Sequence, residues 1–268
     1  MDRIVSYEQI HGFIGEIKNL QRGFVTNFFW DETKHSYWIA NQEFFYKKVG
    51  DCYLFLRKND SFWNLFYLSI DMDTVADAIK QIQTEKDLVV DVVVKGDDKC
   101  DVETLANAGF VPYKSLFRMS HIGLLAKDKW NIQDDVTFAD ETDACLVYYS
   151  LQSDFNPICE QLPSLQEVKD YIQKNSLLVV KDSNQLCGYL LFELKGKTSW
   201  YLRYWYTSPS YRDLGIGAQL LKAALAIGKA TKRQQLWVIS DNDNAIKRYE
   251  HYGFRRENIQ DYVLIKRK

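Results

Sequence analysis

Arg212, Gly215 and Gly217 fall in the run YRDLGIGAQLLKAAL, and those residue types in that order can hold a phosphate. Leu220, Leu221, Ala224, Leu225 and Gly228 recur at helical spacing, so the run reads as an amphipathic helix that starts near the second glycine. The N–H groups of a helix's first turn have no partner inside it, and the summed peptide dipoles make that end partly positive. An anion binds there through main chain alone when no β-carbon intervenes, which glycine ensures. Arg212 adds a fixed charge whose planar fork suits phosphate oxygens. Pro209 breaks the ladder after the preceding strand, letting the chain turn into the loop. The pattern reads as a diphosphate cradle. It is not a dinucleotide fingerprint, whose third glycine is replaced here by Leu220, nor a Walker A loop, which requires G-K-[ST].

A second pattern follows downstream, NDNAIKRYEHYGF. Taken together, the two resemble the GNAT superfamily of acyl-CoA-dependent N-acyltransferases. Arg212, Gly215 and Gly217 match its pyrophosphate motif R/Q-x-x-G-x-G/A. Asn242, Ala245, Tyr249, Gly253 and Phe254 match its following signature N-x-x-A-x-x-x-Y-x-x-x-G-F. The resemblance covers roughly residues 130–268. It implies an α/β (α+β) fold, a mixed, mostly antiparallel twisted sheet flanked by helices, with acetyl-CoA as co-substrate and no metal.

The resemblance also implies roles. Main-chain groups at Tyr206 and Thr207 would hold the pantetheine arm between two parted strands. Amides of Arg212, Asp213, Leu214, Gly215, Ile216, Gly217 and Ala218 would take the pyrophosphate. Asn242 and Ala245 would belong to the same cofactor site, the small Ala245 leaving room for the arm beside Tyr249. Tyr249 would be the general acid, because a phenol near pKa 10 can give a proton to a thiolate near 8.5. An amide on the parted strand would polarise the thioester carbonyl as charge develops on its oxygen. Glu193 and Glu160 are candidate bases, neither assigned. The loop Ser153–Pro163 is expected to set acceptor specificity. In the aromatic run WYLRYWY, alternate residues belong to the core by strand periodicity.

The elements that must position these residues occur twice. LVVDVVVKGDDKCDVETLANAGFVPYKSLFRMS and QLWVISDNDNAIKRYEHYGFRRENIQDYVLIKR each read as a strand, a polar turn, a short helix closed by Gly-Phe, and a final strand, Leu116–Ser120 or Tyr262–Lys266. This self-similarity points to a duplicated domain. Upstream, strands are expected at Leu177–Lys181, Leu186–Leu194 and Trp200–Thr207 in the second half. Their first-half counterparts are Glu43–Val49, Tyr53–Arg57 and Phe62–Ile70, with a helix over Thr74–Gln83. Where the second copy has its glycine loop, the first has SIDMD, with Asp71 and Asp73; where the second has Tyr249, the first has Leu105. A carboxylate pair repels a pyrophosphate and leucine carries no proton. The expectation is therefore a degenerate GNAT-like domain at 1–125 that binds no CoA and a catalytic GNAT domain at 130–268.

Composition sets the outer limits. The chain has 268 residues, 46% of them hydrophobic, and a net charge of −2, with no strong basic excess in either half. That argues against a nucleic-acid partner. The N-terminal MDRIVSYEQIHGF has no signal-peptide core and no run approaches a membrane span. Five scattered cysteines without a C-x-x-C fit free thiols in a reducing cytoplasm better than a disulfide framework or zinc site. The leading expectation is transfer of an acyl group to a primary amine of a small molecule by direct attack on the thioester. A CoA-binding sensor without turnover, and an aminoacyl-tRNA-using transferase, are the alternatives.

Overall fold

The computed structural model describes all residues except 124–134, Asn184, Lys197 and Lys229. It divides into two compact units, residues 1–116 with 258–268, and residues 117–257. The junction expected between 125 and 130 lies outside the described residues.

Unit 1 contains β1 (Asp2–Arg3), α1 (Tyr7–Leu20), β2 (Val25–Thr26), α2 (Glu32–Ala40), β3 (Phe44–Val49), β4 (Cys52–Lys58), β5 (Phe62–Ser69), α3 (Met72–Lys80), β6 (Asp87–Lys95) and α4 (Cys100–Asn107). Next comes β7 (Val111–Ile122), which leaves unit 1 at Leu116. The strands β3, β4 and β5 are antiparallel neighbours, and α3 carries the chain over to β6, which runs parallel to β5. Nearly every residue of β4 and β5 is buried, because helices cover both faces. Val75, Ile79 and Leu105 pack one face. An aromatic group that includes Phe13, Trp38 and Phe66 packs the other.

Unit 2 contains β8 (Thr137–Phe138), α5 (Ala144–Asp154), α6 (Pro157–Glu160), α7 (Leu165–Gln173), β9 (Leu177–Asp182), β10 (Gln185–Lys195), β11 (Ser199–Thr207), α8 (Ile216–Gly228), β12 (Arg233–Ile239) and α9 (Asp243–His251). The final strand β13 (Arg255–Lys266) starts here and enters unit 1 at Asn258. The plan repeats: β9, β10 and β11 are antiparallel, and α8 crosses to the parallel β12. The glycines expected to close α4 and α9 do so, with Gly109 at φ +95° and Gly253 at φ +90°.

The two halves do not each keep their own last strand. The chain's end, β13, pairs antiparallel with β6 from Ile259↔Lys95 to Lys266↔Leu88 in unit 1. The first half's final strand, from Phe117 on, lies beside β12 in unit 2. There His121 Nδ1 lies 2.9 Å from Gln234 Oε1, and the Gly123 amide donates to the Lys232 carbonyl at 2.8 Å. This corrects the division at 1–125 and 130–268. Both strands carry a short apolar stretch, Leu116 to Met119 in β7 and Val263 to Ile265 in β13, that would fit either sheet, so their patterns do not say which sheet each completes.

Parallel pairing ends early in both units. In unit 1 it stops at Asn64↔Val89, although both strands continue. The chain's own β2 lies on the far part of β5, with Thr26 opposite Leu68. Thr26 Oγ1 donates to the Tyr67 carbonyl at 2.6 Å. The Asn27 amide donates to the carbonyls of Leu65 and Asp91 at 3.3 and 3.2 Å, and its oxygen accepts from the Tyr67 amide at 2.8 Å. Asn27 thus bridges the parted strands. Asp71 caps α3, its Oδ1 accepting from the Thr74 amide at 2.8 Å.

Candidate active site

In unit 2 the ladder between β11 and β12 ends at Leu202↔Leu236, while β11 runs on to Thr207 and β12 to Ile239. The strands therefore part at the level of Arg203. The β10–β11 register also slips here: Leu191 faces Tyr204 and Phe192 faces Leu202, so Arg203 has no opposite residue. Such a bulge bends a strand and re-aims a side chain.

Beyond the strand, a short 3₁₀ turn at Pro209–Tyr211 leads into Arg212, which is extended. Asp213 at φ +66° and Gly215 at φ +82° turn the loop into α8. The Gly215 carbonyl accepts from the Gln219 amide at 3.0 Å, so Gly215 is the cap residue and the following amides are first-turn donors. A β-carbon on Gly215 would meet nothing within 4 Å. Its glycine is needed for the backbone angle, in a region where side chains are rarely tolerated. Gly217 differs. A β-carbon there would stand 3.0 Å from Thr207 Oγ1 and 3.4 Å from Trp205 Cζ2, and the Trp205 indole donates to the Gly217 carbonyl at 3.0 Å. Gly217 lets the helix press against β11.

A cavity of about 390 Å³ opens at this helix mouth. Of the residues expected at a cofactor site, Thr207, Arg212, Asp213, Gly215, Ile216, Gly217 and Ala218 line it. Leu214 is exposed. Tyr206 packs with Tyr189 and Phe155 beside the α5–α7 group. Asn242 caps α9, its Oδ1 accepting from the Ala245 amide at 3.2 Å, and Ala245 packs against the α8-side core. The opposite wall comes from α9 and its C-cap: Lys247, Arg248, His251 and Tyr252. Their spacing, i and i+4 on one helix face, was visible in KRYEHY. Only folding shows that this face turns toward Arg212.

Tyr249 is 6% exposed and sits in the core, its ring 5.4 Å from that of Trp205 and 5.9 Å from that of Phe254. It lies behind the cavity-lining Trp205. Burial, with the Glu160 charge as a lesser cause, pushes its pKa above that of an ordinary phenol, so it stays protonated through the neutral range. Glu160 ends α6. Burial raises its pKa, against the opposing hydrogen bond from the Asn156 amide at 2.8 Å and the Arg203 charge. The Tyr204 hydroxyl donates to the carbonyls of Glu160 and Gln161 at 2.8 and 3.1 Å, pinning this loop to β11. Glu193 accepts from the Tyr171 hydroxyl at 2.7 Å. In the aromatic run, Trp200 and Leu202 face the α8-side core and Tyr204 the opposite one.

Residues 146–254 match the model of the acetyltransferase (GNAT) family. The chain also has the GNAT fold. An acetyltransferase of the GNAT family from Colwellia psychrerythraea is 14% identical, with a TM-score of 0.60 over 100% of this chain and 99% of that one. A GCN5-related N-acetyltransferase from Sphaerobacter thermophilus is 13% identical, with a TM-score of 0.58 over 81% and 76%. A tandem GNAT protein from the clavulanic acid biosynthesis pathway is 13% identical, with a TM-score of 0.55 over 82% and 81%. No curated protein matches the chain. Among the described residues, no group of three or more His, Cys, Asp or Glu could hold a metal, and no helix is long and apolar enough to cross a membrane.

Proposed function

We propose that the protein is an acyl-CoA-dependent N-acyltransferase, with acetyl-CoA as donor and the primary amine of a small molecule as acceptor. The observation that carries this is the cavity at the mouth of α8, where first-turn amides and Arg212 face Lys247 and Arg248. Uncapped helix amides beside three fixed cations fit a diphosphate. The open space at Gly215 leaves room for its oxygens.

In this reading the first-turn amides and Arg212 bind the pyrophosphate, and the free edges of β11 and β12 past Leu202 receive the pantetheine arm. The thioester supplies the activated acyl group. The neutral acceptor nitrogen bonds to the acyl carbon, the carbon–sulfur bond breaks, and Tyr249, a phenol still protonated at neutral pH, gives its proton to the sulfur; the proton shed by the nitrogen leaves to solvent, which reprotonates Tyr249. Tyr249→Phe is expected to lower kcat by about 100-fold or more, within the range of general acid catalysis, while CoA affinity in calorimetry stays near wild type. An unchanged rate discards this acid and leaves the transferase reading intact.

One observation favours a CoA-binding protein without turnover: Tyr249 stands behind Trp205 and not in the cavity wall. Acetyl-CoA mixed with an amine library, followed by detection of free thiol, separates the two.

Unit 1 we read as a degenerate copy of the same fold with a structural role. The repeated strand order, Asp71 at the helix mouth and Asn27 between the parted strands support this. Because the final strands are exchanged, a chain cut near residue 125 would strip β13 from unit 1. The test therefore uses the whole protein: calorimetry should find one CoA per chain, and two would overturn the reading.

A further inference from the structure

Arg203 occupies the bulge where β11 and β12 part, next to the last paired residue, Leu202. The bulge puts Arg203 and Tyr204 on one face of the sheet, against the α6–α7 segment. Its guanidinium stands 5.5 Å from the ring centres of both Tyr201 and Tyr204, and its side chain is 24% exposed. An arginine has five donors in a fixed fork. This one has Nε 3.5 Å from Glu193 Oε1, a bond of 3.5 Å to the Tyr204 hydroxyl and a further bond with Tyr201, none of them a close carboxylate grip. Its buried Nε has no hydrogen bond. A guanidinium held only to neutralise a carboxylate grips it at 2.7–2.9 Å, often with two bonds. The Glu193 oxygen nearest Arg203 instead takes its short bond, 2.7 Å, from Tyr171.

An under-bonded guanidinium between aromatic faces, at the fork of the strands, is built to receive a carboxylate. Across the same face, Tyr204 anchors the main chain of Glu160, whose side chain offers the opposite charge. Resting on the acyltransferase reading above, we propose that the acceptor is an amino-acid-type amine, carrying a carboxylate close to its amino group, and that Arg203 binds that carboxylate. An amine without it leaves the fork of Arg203 unsatisfied in a half-buried site. Sites built to bond a polar group reject analogues lacking it far more strongly than apolar pockets reject a missing methylene.

The test uses the full chain, acetyl-CoA, and a panel of the twenty amino acids, their carboxamides and their decarboxylated amines, with thiol release as readout. The best amino acid is expected to exceed its own carboxamide by about 100-fold or more in kcat/KM. Arg203→Gln should collapse that ratio to within a few-fold, chiefly through the KM of the acid, with CoA affinity unchanged; Arg203→Lys should restore part of it. A merely structural arginine would lower acid and carboxamide alike, and that result overturns the proposal. So does a protein that binds CoA yet acetylates no carboxylate-bearing amine, or one that accepts acid and carboxamide equally. A wild-type protein that fails to bind CoA in calorimetry sinks the acyltransferase reading itself, and this proposal with it. If Arg203→Gln does not fold, as judged by its melting curve, the wild-type acid-to-carboxamide ratio decides alone.

Discussion

In unit 1 the parallel strands β5 and β6 separate after Asn64 and Val89, and the chain's own Asn27 bonds both of them while Asp71 occupies the helix mouth. In unit 2, β11 and β12 separate after Leu202 and Leu236, the helix mouth carries Gly215 with open space around it, and three fixed cations line the cavity. One framework thus has two outcomes. Parted strands and an uncapped helix start leave main-chain groups unsatisfied, and buried polar groups need partners. Where the chain supplies those partners the unit is closed. Where it does not, as at Gly215, we propose that the same groups receive a ligand.

The most severe test of this contrast moves the unit 1 solution into unit 2. Gly215 and Asp71 both immediately precede their helices, so Gly215→Asp would put a carboxylate on the amides of α8. Calorimetry should show CoA affinity lower by about 100-fold or more, equivalent to about 2.7 kcal/mol. An affinity close to wild type would break the comparison. Asn27→Ala removes three hydrogen bonds between the parted strands of unit 1. It should cost about 2 kcal/mol, read from the urea midpoint, while CoA affinity is unaffected. Asp71→Ala should cost about 1 kcal/mol through loss of the α3 cap, and Asp71→Gly only a few tenths.

The smallest effect is in the pH dependence. Hydrogen bonds from the Thr74 side chain and amide hold the Asp71 carboxyl below its ordinary value. The unfolded chain therefore binds this proton at a higher pH than the folded one. Stability from the cap is complete above the unfolded value, near 4, and is lost as pH falls through the lower folded value. Acid titration of wild type against Asp71→Asn should show that difference; superimposable profiles would remove the charged cap from the account.

The strands around the site were legible because alternation and apolar runs record burial on one or two faces, and the observed β9, β10 and β11 differ from expectation by a residue or so at each end. The glycines were legible as a pair but not as individuals. Gly215 answers a backbone angle and Gly217 a neighbour in space, and no spacing distinguishes the two. Asn242, expected at the cofactor, caps α9. Local side-chain-to-backbone bonding is the ordinary use of Asn before a helix, and a shared motif does not reveal it. Lys247, Arg248 and His251 were missed, since a charged helix face ordinarily looks to solvent.

By itself the sequence determined which segments become strands and helices, that the order of elements occurs twice, and that one half has two glycines at a helix mouth where the other has aspartates. Those properties are local, written in periodicity, capping and backbone freedom. The tertiary structure alone decided which sheet each final strand completes, that Asn27 closes the first fork, and that Arg203 lies at the second. Each of those depends on residues far apart in the chain meeting in space, and the pattern of either partner alone does not encode it.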